Sequence, residues 1–141
     1  MRYVIADTGP IVAAIRPNDA EHDICASILQ SFQGSLIIPD VAITEICYLL
    51  RTQENPQTEV RFLNSVASKE FVIEHLIDDD WRRVYTLTDK YDDFPLGVVD
   101  AAVIAVAERL KISEIATLND RHFRAVRSKH LKAFRLLPYD L

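Results

Sequence analysis

The sequence has little of what small cross-linked or zinc-stabilised folds depend on. Its 141 residues include only two cysteines, Cys25 and Cys47, which form neither a CxxC pair nor a zinc-ligand spacing. Both stand in apolar, helix-like contexts, so we expect buried free thiols. The four histidines form no HExxH pair. These shortages argue against a disulfide scaffold and against a zinc centre.

Linkers and long apolar segments are also missing. The chain has only three glycines and six prolines, with no Ser/Gly/Pro-rich tract and no internal repeat. The N-terminal apolar run is a few residues long and ends in an acid at position 7, which fits neither a signal peptide nor a membrane span. With 49% hydrophobic and 26% charged residues, we expect one globular domain over residues 1–141, located in the cytoplasm and away from membranes.

The formal net charge of −5 discourages a nucleic-acid partner, but the charge is unevenly distributed. Residues 121–135 contain six cations and no acid, so the remainder of the chain is far more acidic than the net value indicates. Such a segment can be a face that contacts phosphates or simply a solvated cationic stretch. The sequence leaves both interpretations open.

Short apolar runs of strand type alternate with helical patterns along the whole chain. The expected strands cover residues 3–6, 35–38, 71–73, 114–118 and 133–137. The expected helices cover residues 11–15, a segment capped by Asn18 or Asp19, residues 41–51, 56–68, a segment starting at 78, residues 96–110 and a short turn from 120. This alternation predicts an α/β fold with a mainly parallel central sheet covered by helices on both faces.

Two of these helices carry apolar residues whose orientation the periodicity predicts. In the helix over 56–68, Val60, Leu63 and Val66 are expected to face inwards. Trp81 and Tyr85 recur at helical spacing in the next helix, and we expect them in the core or on a dimer surface rather than in a platform for stacking bases.

Acidic residues occur where acids are unexpected. Asp7 ends the first strand, and Asp120 follows the strand that ends in TL. Asp100 is the only charged residue in LGVVDAAVIAVA, and Glu45 is the only acid in VAITEICYLL. Because burying an unpaired carboxylate costs several kcal/mol or more, Asp100 must have a partner.

Each acid also has a purely structural explanation. Asp7 can cap the following helix, and Asp120 can belong to a turn. Glu45 can pair with an arginine, and Asp100 can bond the backbone at its own helix start. These explanations do not account for four acids that converge from two strand ends and two helices. A divalent cation would offset their repulsion, and oxygen-only ligands favour Mg²⁺ or Mn²⁺ over zinc.

The motifs that contain these acids resemble the PIN domain, and within that superfamily they are similar to VapC-type toxins. They are, in order, D-T at 7–8, T-E at 44–45, P-L-G-x-x-D-A at 95–101, A-T-L-N-D-R-H-F at 116–123 and F-R-L-L-P at 134–138. The resemblance implies a PIN-like three-layer sandwich and a ribonuclease that depends on Mg²⁺, with Mn²⁺ as a substitute. It also implies a homodimer and a cognate antitoxin protein that inhibits it.

The resemblance assigns roles residue by residue. Asp7 and Asp100 match the two acids that hold the principal metal, and Glu45 matches the third acid of the catalytic cluster. Related toxins often carry aspartate directly after the T-x pair, where this chain has Asn119, with Asp120 one residue later. Either could complete the site, Asn119 as a neutral oxygen ligand or water-positioning group and Asp120 as an acid. An inactive module that only binds RNA or a protein partner remains the alternative because of Asn119.

Further expectations concern the surroundings of the acids. Thr8 and Thr117 are expected to position the carboxylates or metal-bound waters. Arg121, Arg124 and Arg127 directly follow the fourth acidic position and are expected to contact phosphates of an RNA substrate. Single-stranded or looped RNA is favoured over duplex because a nuclease that selects sequence needs splayed bases.

Overall fold

A computed structural model of the chain describes residues 2–141 and contains five strands and seven helices over that range. The strands are β1 (Val4–Ala6), β2 (Leu36–Pro39), β3 (Val72–Glu74), β4 (Glu114–Ala116) and β5 (Arg135–Leu137). The helices are α1 (Thr8–Ile15), α2 (His22–Ser31), α3 (Asp40–Gln53), α4 (Pro56–Ala67), α5 (Asp78–Lys90), α6 (Val98–Leu110) and α7 (Asp120–Ala125).

The five strands form one parallel sheet in the order β3-β2-β1-β4-β5. β1 is central and pairs with β2 on one side and with β4 on the other. The chain runs outward from β1 in both directions, so the strand order reverses between β1 and β4. The crevice beyond the carboxyl ends of strands at such a point is where open α/β sheets bind ligands. The predicted α/β fold is confirmed.

Successive side chains of each short strand point to opposite faces of the sheet, and this divides the core into two halves. Ile5 points to the face covered by α5 and α6, while Val4 and Ala6 point to the face covered by α1 to α4. α6 is buried along its length, and residues 101–107 have almost no exposed surface. The result is the expected three-layer arrangement, with the sheet between two layers of helices.

The expected orientation of α4 is wrong. Val60 is 56% exposed and Leu63 is 43% exposed, whereas Phe62 is buried and stacks near Phe71 at a centroid distance of 5.8 Å. Only Val66, of the three predicted residues, packs partly against the core. Phe62 and Val66 are four residues apart, so they lie on one face of the helix. Burial of the large phenyl ring turns this face inwards and leaves Val60 and Leu63 outside it.

α5 buries a different stripe from its aromatic residues. Val84 and Leu87 are in the core, while Trp81 is half exposed and Tyr85 is 71% exposed. Both aromatic side chains therefore lie on the surface, and a core position is excluded for them. Asp80 shares the buried stripe because Arg109 of α6 neutralises it at 2.9 Å.

Smaller differences concern the ends of elements. α2 begins at His22 rather than directly after Asp19, whose carboxylate instead accepts a hydrogen bond from the Glu21 N–H in the preceding turn. α1 begins at Thr8, three residues earlier than expected, because Asp7 caps it. Cys25 and Cys47 are buried free thiols, as predicted. Within residues 2–141, no helix is both long and apolar enough to cross a bilayer.

Candidate active site

Asp7 lies directly after the central strand, and its backbone N–H and both of its carboxylate oxygens form hydrogen bonds. Its N–H donates to the carbonyl of Ala116 in β4 at 2.9 Å. Its Oδ1 accepts from the Thr8 N–H at 2.9 Å, and its Oδ2 accepts from the Thr117 hydroxyl at 2.9 Å. The side chain is 7% exposed. Asp7 therefore does cap α1, as the structural explanation required, and the same bonds fix its carboxylate at the mouth of the sheet.

The charge of Asp7 is poorly compensated. Burial raises the pKa of this carboxyl to about 6, and the negative charge of Asp100 contributes in the same direction. Hydrogen bonds from Thr8 and Thr117 lower the pKa, but each has a smaller effect than burial. The pKa of Glu45 is also raised, by partial burial and by Asp100. The three carboxylates thus repel one another, which is the electrostatic condition that a bound cation would relieve.

Asp100 has the partners that its apolar helix required. Its Oδ2 accepts from the Gly97 N–H at 3.2 Å and lies 2.9 Å from Nδ1 of His122. Only 14% of its side chain is exposed. The hydrogen bond from Gly97 caps α6, so the explanation that Asp100 bonds the backbone at its own helix start is also correct. His122 was not among the predicted site residues; it lies three residues after Asn119, in the first turn of α7.

Glu45 differs from Asp7 and Asp100 because it is solvent-exposed. α3 buries the stripe formed by Ala42, Ile46 and Leu50, and Glu45 stands beside it. Among the described residues no arginine pairs with Glu45, so that structural explanation fails. The carboxylate instead borders the same cleft as Asp7.

The acids meet in an open cleft of about 490 Å³ beyond the carboxyl ends of β1 and β4. Its walls come from the first turns of α1 and α6, from α3 and from the loop after β4. Asp7, Glu45, Asp100 and Asn119 all line it. Asp120 does not; its carboxylate accepts from Nε of Arg124 at 3.4 Å. Of the two candidates for the fourth position, the structure brings Asn119 to the cleft and turns Asp120 away.

The two threonines expected to support the acids differ. Thr117 is fully buried, and its hydroxyl donates to Asp7 while accepting from the Asn119 N–H at 3.0 Å. Thr8 supports Asp7 only through its backbone. Its buried Oγ1 has no hydrogen-bond partner among residues 2–141, so a role of this hydroxyl in positioning a metal-bound water stays a prediction. The hydroxyl is available to a ligand in the cleft, which Thr8 lines.

The three candidate RNA-binding arginines are not equivalent. Arg124 pairs with Asp140 at 2.9 Å and with Asp120, so its charge is already compensated. Within the part of the chain that the structure describes, Arg121 and Arg127 have no acidic partner. They remain the two arginines of this set that a phosphate could bind without first breaking an ion pair.

The donor set fits a hard divalent cation. In residues 2–141 no three His, Cys, Asp or Glu side chains are close enough to form a complete protein cage. Two nearby carboxylates, Asp7 and Asp100, with Glu45 further out, supply oxygen ligands only. Mg²⁺ typically takes one or two carboxylates and keeps several waters, so a complete protein cage is not required.

Comparison with known proteins identifies the family and related folds. A family model described as the PIN domain matches residues 4–129. A Mycobacterium tuberculosis protein named Ribonuclease VapC26 is 24% identical over 135 residues, covering 96% of this chain and all of the relative. The crystal structure of M. tuberculosis VapC20, described as a Sarcin-Ricin loop cleaving toxin, gives a TM-score of 0.73 at 20% identity, covering 79% of this chain and 86% of that one. DNA-bound VapBC from Salmonella typhimurium gives 0.68 at 15% identity, covering 96% and 97%.

Proposed function

The chain belongs to the PIN domain family, and we propose that it is a divalent-metal-dependent endoribonuclease that acts as the toxin of a toxin–antitoxin pair. The observation that carries this proposal is the convergence of Asp7, Glu45 and Asp100 on one cleft at the carboxyl edge of the sheet. Ribonuclease VapC26 and the VapC20 toxin, which share the family sequence pattern or the fold, support the same class of activity.

Asp7 and Asp100 would hold the cation, Mg²⁺ or Mn²⁺. When bound, it supplies positive charge that offsets the carboxylates and the phosphate, and it makes water a better nucleophile at neutral pH. Asp7 is suited to this role because its rotamer is fixed by Thr8 and Thr117. Asp100 is fixed by Gly97 and His122. Neither side chain has to reorganise before the reaction.

Glu45 is placed to accept a proton. It is exposed enough to reach water in the cleft, and its raised pKa makes it a better base than an ordinary surface carboxylate. Water attacks the phosphorus in line with the leaving oxygen, and Glu45 takes the proton that this water loses. The P–O bond to the leaving oxygen breaks, and this oxygen takes a proton from solvent in the open cleft. Asn119 occupies the fourth position, and Asp120 holds Arg124 instead of acting on the substrate.

The substrate needs cations nearby because the carboxylates repel a polyanion. Arg121 and Arg127 supply them at flanking phosphates, while Arg124, which is paired with Asp140, contributes less. Single-stranded or looped RNA fits an open cleft that reads splayed bases.

The exposed apolar surface supports the proposal of protein partners. Trp81 and Tyr85 on α5, with Val60 and Leu63 on α4, leave aromatic and aliphatic side chains in water. We assign these two helix faces to contacts with a second copy of the chain and with an antitoxin protein. A toxin–antitoxin complex from Klebsiella pneumoniae, with a TM-score of 0.65 at 18% identity over 87% of this chain and 92% of that one, supports an antitoxin partner.

One observation favours a second candidate function. Asn119 stands where a fourth acid would complete the cluster, so a module that binds RNA or a partner without cutting RNA is the alternative.

Cleavage of a mixed RNA pool that includes tRNA separates the two functions. Protein free of antitoxin is incubated with Mg²⁺, with Mn²⁺ or with EDTA. Asp100→Asn is compared with the matched variant Asp92→Asn, because Asp92 is exposed in the loop between α5 and α6. The nuclease proposal predicts metal-dependent cleavage that Asp100→Asn abolishes and Asp92→Asn preserves. Binding without cleavage under every condition would favour the alternative, and cleavage retained in Asp100→Asn would refute the proposed site.

A further inference from the structure

His122 contacts two site residues through one ring nitrogen. Its Nδ1 lies 2.9 Å from Oδ2 of Asp100 and 2.6 Å from Nδ2 of the Asn119 amide. A ring nitrogen carries either a hydrogen or a lone pair, so it cannot donate to one neighbour and accept from the other. The two contacts therefore have to be assigned together.

The carboxylate decides the assignment. An ionised Asp100 can only accept hydrogen bonds, and its Oδ2 already accepts from Gly97. Nδ1 of His122 must then carry the hydrogen. A hydrogen on Nδ1 cannot face the NH₂ group of Asn119, so the two amide atoms must exchange places and bring the oxygen to His122. The single hydrogen on Nδ1 is then shared between this oxygen and Oδ2 of Asp100 in a three-centre hydrogen bond. The oxygen and nitrogen of an amide are assigned from such networks, and a separation of 2.6 Å suits N–H···O better than two opposed donors.

Further contacts hold His122 in position. Its ring packs edge-on against Phe94, with 5.2 Å between centroids and a 75° interplanar angle. Its backbone N–H donates to the Asn119 carbonyl at 3.2 Å. The Asn119 N–H in turn donates to Thr117, which donates to Asp7. A series of hydrogen bonds through His122, Asn119 and Thr117 thus connects Asp100 to Asp7.

We propose that His122 is a positioning residue that fixes the Asp100 carboxylate and orients the Asn119 amide, so that Asn119 offers its NH₂ group to the substrate. In this arrangement the fourth position is a hydrogen-bond donor for a phosphate oxygen of RNA, and it is not a cation ligand. An acid at this place would repel the phosphate, whereas an amide donor attracts it. The cleft then binds one divalent cation, through Asp7 and Asp100. This inference rests on the proposed ribonuclease function for its substrate.

The protonation of His122 is the most direct test, and it needs no catalysis. Long-range ¹H–¹⁵N correlation spectra of the wild-type chain distinguish a protonated Nδ1 from a bare one, and the His122 signals are identified by their loss in His122→Phe. We expect a proton on Nδ1. A neutral ring protonated only at Nε2 would overturn the assignment, because Nδ1 would then accept from Asn119.

Two substitutions of His122 separate positioning from packing. His122→Phe keeps a ring against Phe94 but removes the donor, and His122→Asn restores a donor near the place of Nδ1. We expect Mn²⁺ binding, measured by calorimetry, to weaken about ten-fold in His122→Phe and to recover in His122→Asn. Equal weakening in both variants, or none in either, would overturn the positioning role.

Substitution of Asn119 tests the donor role. With a short single-stranded RNA in EDTA, Asn119→Asp should bind roughly ten-fold more weakly than the wild type, because a donor to a charged group has been replaced by a negative charge. The same variant should bind Mn²⁺ more tightly or take up a second ion. Unchanged RNA affinity would overturn the proposal. If the protein cuts no RNA but Nδ1 carries a proton and the binding effects are observed, the proposed ribonuclease function is refuted and the proposed role of His122 stands. If the protein cuts RNA but Nδ1 is unprotonated, the role of His122 is refuted and the ribonuclease function stands.

Discussion

Replacing Asp7 by asparagine should remove a pH-dependent destabilisation of the metal-free protein and abolish the proposed ribonuclease activity. The folded-state pKa of Asp7 is raised from 3.8 to about 6, mainly by burial. Because the folded value lies above the unfolded one, this group favours the fold when protonated. That contribution is fully present below pH 3.8 and is lost as the pH rises through 6. At full ionisation the loss amounts to about 3 kcal/mol, since one pKa unit corresponds to about 1.36 kcal/mol.

The asparagine introduced by Asp7→Asn would keep part of the hydrogen bonding. Its oxygen can still accept from the Thr8 N–H, but its NH₂ group faces the Thr117 hydroxyl, whose own hydrogen loses its acceptor. A buried donor left without a partner costs about 1–3 kcal/mol. This cost does not depend on pH, whereas the electrostatic gain does. The comparison of two pH values therefore isolates the charge of Asp7.

The assay is urea unfolding in EDTA at pH 5 and pH 8 for the wild type, Asp7→Asn and the exposed control Asp92→Asn. We expect the free energy of unfolding of Asp7→Asn, relative to the wild type, to be about 1.4 kcal/mol more favourable at pH 8 than at pH 5. Asp92→Asn should show a much smaller difference. An advantage of Asp7→Asn that is no larger at pH 8 than at pH 5 would refute the reasoning that Asp7 is an uncompensated buried carboxylate.

Two further predictions concern the cationic segment and α4. The double variant Arg121→Ala/Arg127→Ala should reduce the magnitude of the slope of log K for single-stranded RNA binding against log salt concentration by about 1.4, as expected for two lost phosphate contacts. An unchanged slope would mean that these residues are only solvated. Phe62→Ala should cost about 3–5 kcal/mol in urea unfolding because Phe62 is buried, whereas Leu63→Ala should cost about 1 kcal/mol or less. Similar losses for both would contradict the orientation of α4.

The parallel sheet and the two central acids could be predicted because local signals were strong. Asp7 follows an unambiguous strand, and Asp100 is a lone charge in an apolar helix, so each position is unusual without reference to any other part of the chain. The structure shows that both residues also cap their helices. The structural and functional explanations were therefore not exclusive, and a sequence pattern alone could not separate them.

Other features depend on packing that no local pattern encodes. Glu45 lies in an apolar segment but is exposed, because the buried stripe of α3 passes one residue away from it. The contact of His122 with Asp100 spans 22 residues and requires α7 to lie against the start of α6. Asp120 pairs with Arg124 four residues later in α7, while Asn119 lies at the cleft. Asn119 and Asp120 are adjacent at a loop–helix junction but have different environments, so the sequence alone does not show which of them lies at the cleft.

The central claim is that Asp7 and Asp100 together hold a divalent cation in the cleft. Crystals grown with Mn²⁺ and measured at a wavelength where manganese scatters anomalously test it most directly. The account predicts one strong anomalous peak in the cleft, within coordination distance of carboxylate oxygens of both residues. No peak in the cleft at millimolar Mn²⁺, or a peak coordinated by other side chains, would contradict the account.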